Sequence, residues 1–132
     1  MQTLHITTIY AATLAILLVV LAYRVAITRK KEKVGVGDGK NHTLIRLKAA
    51  HENAVDNIPI FLILFAVFEY NGGSSIILHF TGSLFLVARL LHAYGMSLHP
   101  GLSFGRLSGI FVSWICILSL AVLLLALAAT SS

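Results

Sequence analysis

LKAAHENAVDN, residues 47–57, runs without interruption into IPIFLILFAVF, residues 58–68. The first segment contains a His, a Glu, an Asp and two Asn, whereas the second contains only apolar side chains. A helix that spans a bilayer needs about 20 residues, and the apolar segment is too short to span it alone. The spanning helix therefore has to include the polar segment. The sequence thus predicts a cluster of polar side chains inside the membrane, near one end of a helix.

The composition of the whole chain is that of a membrane protein. Of its 132 residues, 58% are hydrophobic and 11% are charged, whereas soluble domains carry about 25% charged residues. Eight of the ten Lys and Arg lie between Arg24 and Lys48, and the other two are Arg89 and Arg106. Because the basic residues are concentrated in one segment, no nucleic-acid binding is expected. The lone cysteine, Cys116, forms no CxxC motif, and no metal site is predicted.

Four membrane helices are predicted. The first and fourth are long apolar segments, whereas the two middle ones reach a spanning length only with their polar neighbours, residues 49–57 and 89–94. The predicted fold is an all-α, integral membrane four-helix bundle. It forms a single domain over residues 1–132, with helices at about 5–27, 43–70, 75–95 and 106–129.

The distribution of basic residues predicts the orientation of the bundle. Lys and Arg favour the cytoplasmic side of a membrane, so the basic loop at 28–43 is expected inside and the N-terminus outside. The first helix is expected to be retained, because no Lys or Arg precedes it and the basic cluster follows it, the reverse of a secretory signal. The start of the second helix, the end of the third and the start of the fourth then meet at the cytoplasmic leaflet.

Seven polar residues fall in this region: Arg46, Asn53, Asp56, Asn57, Arg89, His92 and Arg106. At about 100° per residue, three of the second-helix residues (46, 53 and 57) lie within about 40° of one another. The two residues of the third helix share a face. These spacings predict one cluster at the cytoplasmic ends of three helices.

The cluster has two interpretations. Ionisable groups at membrane depth cost about 2.5–3.5 kcal/mol each, so they tend to pair inside the bundle. In the structural interpretation, Asp56 pairs with Arg89 or Arg106 and holds the helices together. In the functional one, the residues form a pocket for an anionic polar molecule, in which arginines bind carboxylates and Asn and Asp bind amide and amino groups. An apolar second substrate would enter from the bilayer.

Three motifs carry a resemblance to a known family. RLKAAHENAVDNIP (46–59) resembles the signature R-x4-H-x-N-x2-E-N-x-x-P of the MAPEG family, membrane-associated proteins in eicosanoid and glutathione metabolism. ARLLHA (88–93) is similar to the family's third-helix A-R-x-x-H segment, and GRLS (105–108) to the arginine that begins its fourth helix. The resemblance covers about residues 5–127, and the chain looks like a small bacterial-type member.

The resemblance implies a homotrimer that binds glutathione between adjacent subunits, and an inner-membrane location in a bacterium. It implies a transferase or peroxidase that acts on lipophilic electrophiles or lipid peroxides, with membrane lipid around it. Arg106 matches the arginine that stabilises the glutathione thiolate. The residues expected to bind glutathione are Asn53, Asp56, Arg89, His92 and Arg46.

Several positions depart from the family pattern. Ala49 stands where many members have a glutathione-binding arginine, Glu52 where some are basic, and Met96 where many have a tyrosine; Asp56 replaces the usual Glu. A non-catalytic membrane protein of the same fold, binding another anion or lipid, is therefore the alternative. A transporter or proton relay is disfavoured, because the predicted outer half offers few polar groups.

Overall fold

Four helices account for most of the chain. The computed structural model describes residues 3–99 and 101–130, which form α1 (His5–Glu32), α2 (His42–Tyr70), α3 (Ser75–Leu98) and α4 (Phe104–Thr130). Each helix is long and apolar enough to cross a membrane, which confirms the predicted all-α membrane four-helix bundle. The predicted range of 1–132 also includes residues 1, 2, 100, 131 and 132, which lie outside the described residues.

Two helices continue beyond their predicted ends. α1 extends past residue 27 to Glu32, and its last turn carries basic residues, which interact favourably with a helix C-terminus. α3 continues through Gly95 to Leu98, although glycine often ends a helix. Gly95 lies directly against α4, where an added Cβ would come within 2.6 Å of the main-chain nitrogen of Arg106. The predicted loop at 95–105 is shortened accordingly.

The two middle helices form the centre of the bundle. α1 packs on α2 and α3, α4 packs on α3 and α2, and no packing contact joins α1 to α4 within the described residues. The loop 33–41 and the connection from α3 to α4 lie at the same end of the bundle, here called the basic end. The lipid-facing surfaces of α1 and α4 are therefore on opposite sides of the molecule.

Aromatic side chains fill the contact between α1, α2 and α3. Phe61 of α2 and Phe85 of α3 stack with ring centroids 3.7 Å apart and planes 3° from parallel. Tyr10 of α1 meets Phe65 edge-on, and its hydroxyl donates to the carbonyl of His79 at 3.0 Å. Because lipid is as apolar as these rings, van der Waals packing and polar contacts hold such helices together rather than hydrophobic burial.

α3 and α4 approach each other through glycines. An added Cβ at Gly109 would lie 2.7 Å from both the Cβ and the main-chain nitrogen of His92, and one at Gly105 would lie 2.9 Å from the carbonyl oxygen of Leu91. Glycines four residues apart allow membrane helices to come this close. The contact places the start of α4, with Arg106, against the last turns of α3.

At the opposite end, Glu69 of α2 closes the N-terminus of α1. Its carboxylate accepts hydrogen bonds from the main-chain nitrogens of Ile6 at 2.8 Å and Thr7 at 2.7 Å. The first N–H groups of a helix have no partner within it, and a carboxylate there is also stabilised by the helix dipole. Glu69 thus fixes α1 against α2 at the end of the bundle far from the candidate site.

Candidate functional site

The predicted site residues lie on three helices, in the half of the bundle nearest the basic end: Arg46, Asn53 and Asp56 on α2, Arg89 and His92 on α3, and Arg106 on α4. Four of them form two hydrogen-bonded pairs, one between α2 and α3 and one between α3 and α4. Both pairs adjoin Gly109. The remaining two, at positions 46 and 56, form no hydrogen bond to this group within the described residues.

Arg89 joins three helices. It is only 2% exposed, and its Nη1 donates to Asn53 Oδ1 at 2.8 Å. Its Nη2 donates to the carbonyl of Gly109 at 3.4 Å, and the guanidinium lies 5.9 Å from the centroid of the Phe85 ring. The protein therefore surrounds a buried positive charge with neutral acceptors and an aromatic ring, and no described carboxylate neutralises it.

The contact with Arg89 fixes the orientation of the Asn53 amide. A guanidinium only donates hydrogen bonds, so the amide atom that faces it is Oδ1 and the other is Nδ2. The main-chain carbonyl of Asn53 accepts from Asn57 Nδ2 at 2.8 Å. The remaining polar group of the Asn53 side chain is thus the amide nitrogen Nδ2. It is a hydrogen-bond donor, suited to a carbonyl or carboxylate oxygen of a ligand.

The orientation of His92 is fixed in the same way. The residue is 4% exposed, and its Nδ1 lies 2.9 Å from the main-chain oxygen of Arg106. Because a carbonyl only accepts, Nδ1 carries the proton. In the neutral ring Nε2 is then an acceptor, and it is buried without a hydrogen-bond partner. His92 can therefore accept a proton or a hydrogen bond from a donor placed next to it.

Arg106 has a half-buried side chain in the first turn of α4. Its main-chain nitrogen donates to Ser103 Oγ at 3.3 Å, and its main-chain oxygen is held by His92. Within the described residues its guanidinium has no hydrogen bond or ion pair. The backbone of Arg106 is thus fixed at two points while its charged group is available to an anion.

The structural interpretation requires an ion pair between Asp56 and Arg89 or Arg106. Asp56 forms no such pair among the described residues. It is exposed, and the ion pair found among the described residues joins Lys48 to Glu52 at 3.4 Å. Asp56 lies about 60° around α2 from Asn53. Asn53 rather than Asp56 therefore faces Arg89. Because the two side chains lie on different faces of α2, the predicted interhelical salt bridge does not form among the described residues.

Arg46 lies at the margin of the site. Its side chain is half-buried, and its Nη2 donates to Thr43 Oγ1 of the same helix at 3.4 Å. Its Nε is buried without a partner. Arg46 therefore adds positive charge to the same face of α2 as Asn53 without being committed to another helix.

Polar atoms without partners are concentrated in this region. Of the five buried side-chain nitrogen and oxygen atoms that lack a hydrogen bond in the described part of the chain, three belong to predicted site residues: Arg46 Nε, Arg89 Nε and His92 Nε2. Leaving a buried polar group unpaired costs about 1–3 kcal/mol. Such a concentration is typical of a site that is completed by a ligand or a neighbouring subunit.

Three glycines that position the site were not predicted from the sequence. Gly109 supplies a carbonyl to Arg89 and to Ser113, and Gly95 and Gly105 bring α3 and α4 together. The sequence does contain a signal for this close helix contact, because GRLSG at 105–109 is a G-x-x-x-G pattern within an apolar helix. Its partner on α3 could not be identified from spacing alone.

The Arg89–Asn53 bond is expected to couple α2 to α3 energetically. A double-mutant cycle with Arg89→Met and Asn53→Leu should give a coupling of about 1–2 kcal/mol in unfolding by dodecyl sulfate in mixed micelles. The Arg46–Thr43 pair, which lies within α2 and joins no other helix, is replaced by Met and Val as the control and should couple by less than about 0.5 kcal/mol. Equal coupling in both cycles would contradict a structural role for the buried bond.

Comparison with known proteins agrees with these motifs. The MAPEG family model matches residues 7–126. Inner membrane protein YecN of Escherichia coli strain K12 is 36% identical over 118 residues, which are 89% of this chain and 88% of that protein. The protein of the same name in Escherichia coli O6:H1 strain CFT073 matches with the same identity and coverage. The family match includes every predicted site residue, and the resemblance inferred from the motifs is confirmed.

Proposed function

Because the chain belongs to the MAPEG family, we propose that it is a glutathione-dependent membrane transferase or peroxidase acting on lipophilic electrophiles or lipid peroxides. It would reside in a bacterial inner membrane, as the name of the Escherichia coli relative indicates for that protein. The proposed orientation has the N-terminus outside and the site near the cytoplasmic leaflet, since the basic segment 28–43, which includes the last turn of α1, favours the inside.

The observation that carries the proposal is the group of unpaired polar atoms around Arg46, Arg89 and His92. Glutathione has two carboxylates, two amides, an amino group and a thiol. Arginine donors and the Nδ2 of Asn53 suit its carboxylate and carbonyl oxygens. The acceptor Nε2 of His92 suits its amino or thiol group. The residues present therefore match the chemistry of this cosubstrate.

Charged residues on α2 support the proposed homotrimer. Lys48, Glu52 and Asp56 follow one another at four-residue intervals and therefore share a face. Asp56 is exposed, and the Lys48 and Glu52 side chains are 40% and 57% exposed. Charged groups on a membrane helix seldom face lipid, so a second subunit is the proposed cover. Glutathione would then bind between subunits, with Asp56 oriented toward its amino group.

The proposed chemistry requires a thiolate. A thiol with a pKa of about 8.5 is mostly protonated at neutral pH, and only the thiolate is a strong nucleophile. The guanidinium of Arg106 would stabilise the thiolate, and the start of α4 adds the positive end of a helix dipole. His92 Nε2 can accept the proton. The apolar substrate would reach the sulfur from the bilayer.

The test is calorimetric titration of the detergent-purified protein with glutathione, together with an ultraviolet difference spectrum for thiolate. S-methylglutathione is the matched control, because it keeps both carboxylates and cannot ionise at sulfur. We expect saturable binding of both compounds and a thiolate signal with glutathione alone. Binding of both without a thiolate signal would support the non-catalytic alternative. No binding at millimolar glutathione would overturn the proposal.

A further inference from the structure

A groove of about 510 Å³ runs between α1 and α3 on the surface of the bundle. Its apolar walls include Leu17, Val20 and Leu21 of α1 and Leu90 and Leu91 of α3. From residue 17 to residue 24 the helix rises about 10 Å. The groove is thus a short apolar channel along the bundle, separate from the α2–α3–α4 cluster described above.

A cation closes this groove toward the basic end. Arg24 and Tyr94 line it there, and Arg24 is half-buried, with Nη1 donating to Ser97 Oγ at 3.2 Å. A guanidinium has five N–H donors, and this contact uses one of them. Within the described residues no carboxylate lies within ion-pair distance of Arg24. The groove therefore combines an apolar wall with an uncompensated positive charge.

Arg24 lies near the basic end of α1, where lipid headgroups are expected. It lies five residues, or about 7.5 Å, before Arg29 in the basic last turn of α1. Lys31, seven residues after Arg24, returns to the same face of α1 within about 20° and is exposed. Two cations thus lie one above the other on the face that borders the groove.

We propose that this groove binds an anionic phospholipid, with one acyl chain along the α1–α3 wall and its phosphate on Arg24. A phosphate accepts several hydrogen bonds from one guanidinium, and Lys31 adds attraction to a headgroup with net negative charge. The site is independent of the proposed glutathione chemistry, since none of its residues belongs to that cluster.

The test is native mass spectrometry of the purified protein with phosphatidylglycerol or phosphatidylcholine of identical acyl chains. We expect the protein to retain about thirtyfold more phosphatidylglycerol than phosphatidylcholine, because Arg24 and Lys31 near the headgroup each contribute about fivefold. Arg24→Leu should reduce this preference about fivefold, to the contribution of Lys31. Lys30→Leu, which removes an exposed cation about 120° around the same helix, should keep it.

A second variant tests the groove independently of the charge. Leu91→Trp should fill the channel from its partly exposed position and reduce retention of both lipids, even though Arg24 is intact. Equal retention of the two lipids by the unmodified chain would overturn the proposal. Displacement of phosphatidylglycerol by an equal concentration of oleate would assign the groove to free fatty acids instead. If Arg24→Leu changes the number of subunits without changing lipid retention, the groove is a protein interface.

Discussion

Replacing Gly109 with alanine is expected to lower the free energy of unfolding by about 1–3 kcal/mol, the usual cost of overpacking a tight contact. The added Cβ would lie 2.5 Å from the carbonyl oxygen of Ala88 and 2.7 Å from the main-chain nitrogen of His92. These are backbone atoms, so α3 and α4 must separate to admit the methyl group. The measurement is the dodecyl sulfate unfolding midpoint in mixed micelles.

Gly101→Ala is the matched control for this prediction. Gly101 precedes α4, and an added Cβ there would meet nothing within 4 Å. It should change the unfolding free energy by no more than about 0.5 kcal/mol. Equal effects of the two substitutions would show that the α3–α4 backbones are not in direct contact. A selective effect at Gly109 would support the helix contact that holds Arg106 beside His92.

Replacing Arg106 with alanine is expected to reduce kcat/KM for conjugation of glutathione to a lipophilic chloronitrobenzene by about 10²–10³-fold. This is the usual effect of removing one group that stabilises a developing anion. The side chain has no hydrogen bond to another helix within the described residues, so its loss should leave the fold and oligomeric mass unchanged. The thiolate absorbance at neutral pH should fall together with the rate.

Two further substitutions test whether the loss of rate depends on the positive charge at position 106. Arg106→Lys retains a cation without the planar fork and should give an intermediate rate. Lys40→Ala removes an exposed cation of the loop 33–41 and should leave the rate unaltered. A full thiolate signal in Arg106→Ala would show that Arg106 does not stabilise the thiolate and would contradict its catalytic role. Loss of the oligomer in the same variant would assign it a structural one.

The fold was predictable because a bilayer imposes a strong length requirement. The segments at 58–68 and 76–88 are too short to span a membrane alone, so their polar neighbours had to be helical as well. That requirement alone placed Asn53 and Arg89 inside helices. The ends of the helices were less predictable. Gly95 stays helical because of its contact with α4, and spacing along one helix contains no information about that contact.

The candidate site was only partly predictable for a related reason. Helical periodicity gives the angle between two side chains on one helix, so it grouped Arg89 with His92 correctly. It does not give the rotation of one helix relative to another. Both Asn53 and Asp56 were therefore open as partners of Arg89, and the carboxylate was the natural choice on charge alone. The structure selects the amide of Asn53.

The sequence by itself determined that this chain forms four membrane helices, that its polar residues gather at one end, and that its motifs are those of the MAPEG family. These properties depend on local composition and spacing. Only the tertiary structure decided that Arg89 binds Asn53 and that His92 holds the backbone of Arg106. The physical reason is helix packing: the close approach of α3 and α4 at Gly105 and Gly109 places His92 against Arg106. The packing of α2 on α3, which includes the Phe61–Phe85 stack, turns Asn53 toward Arg89.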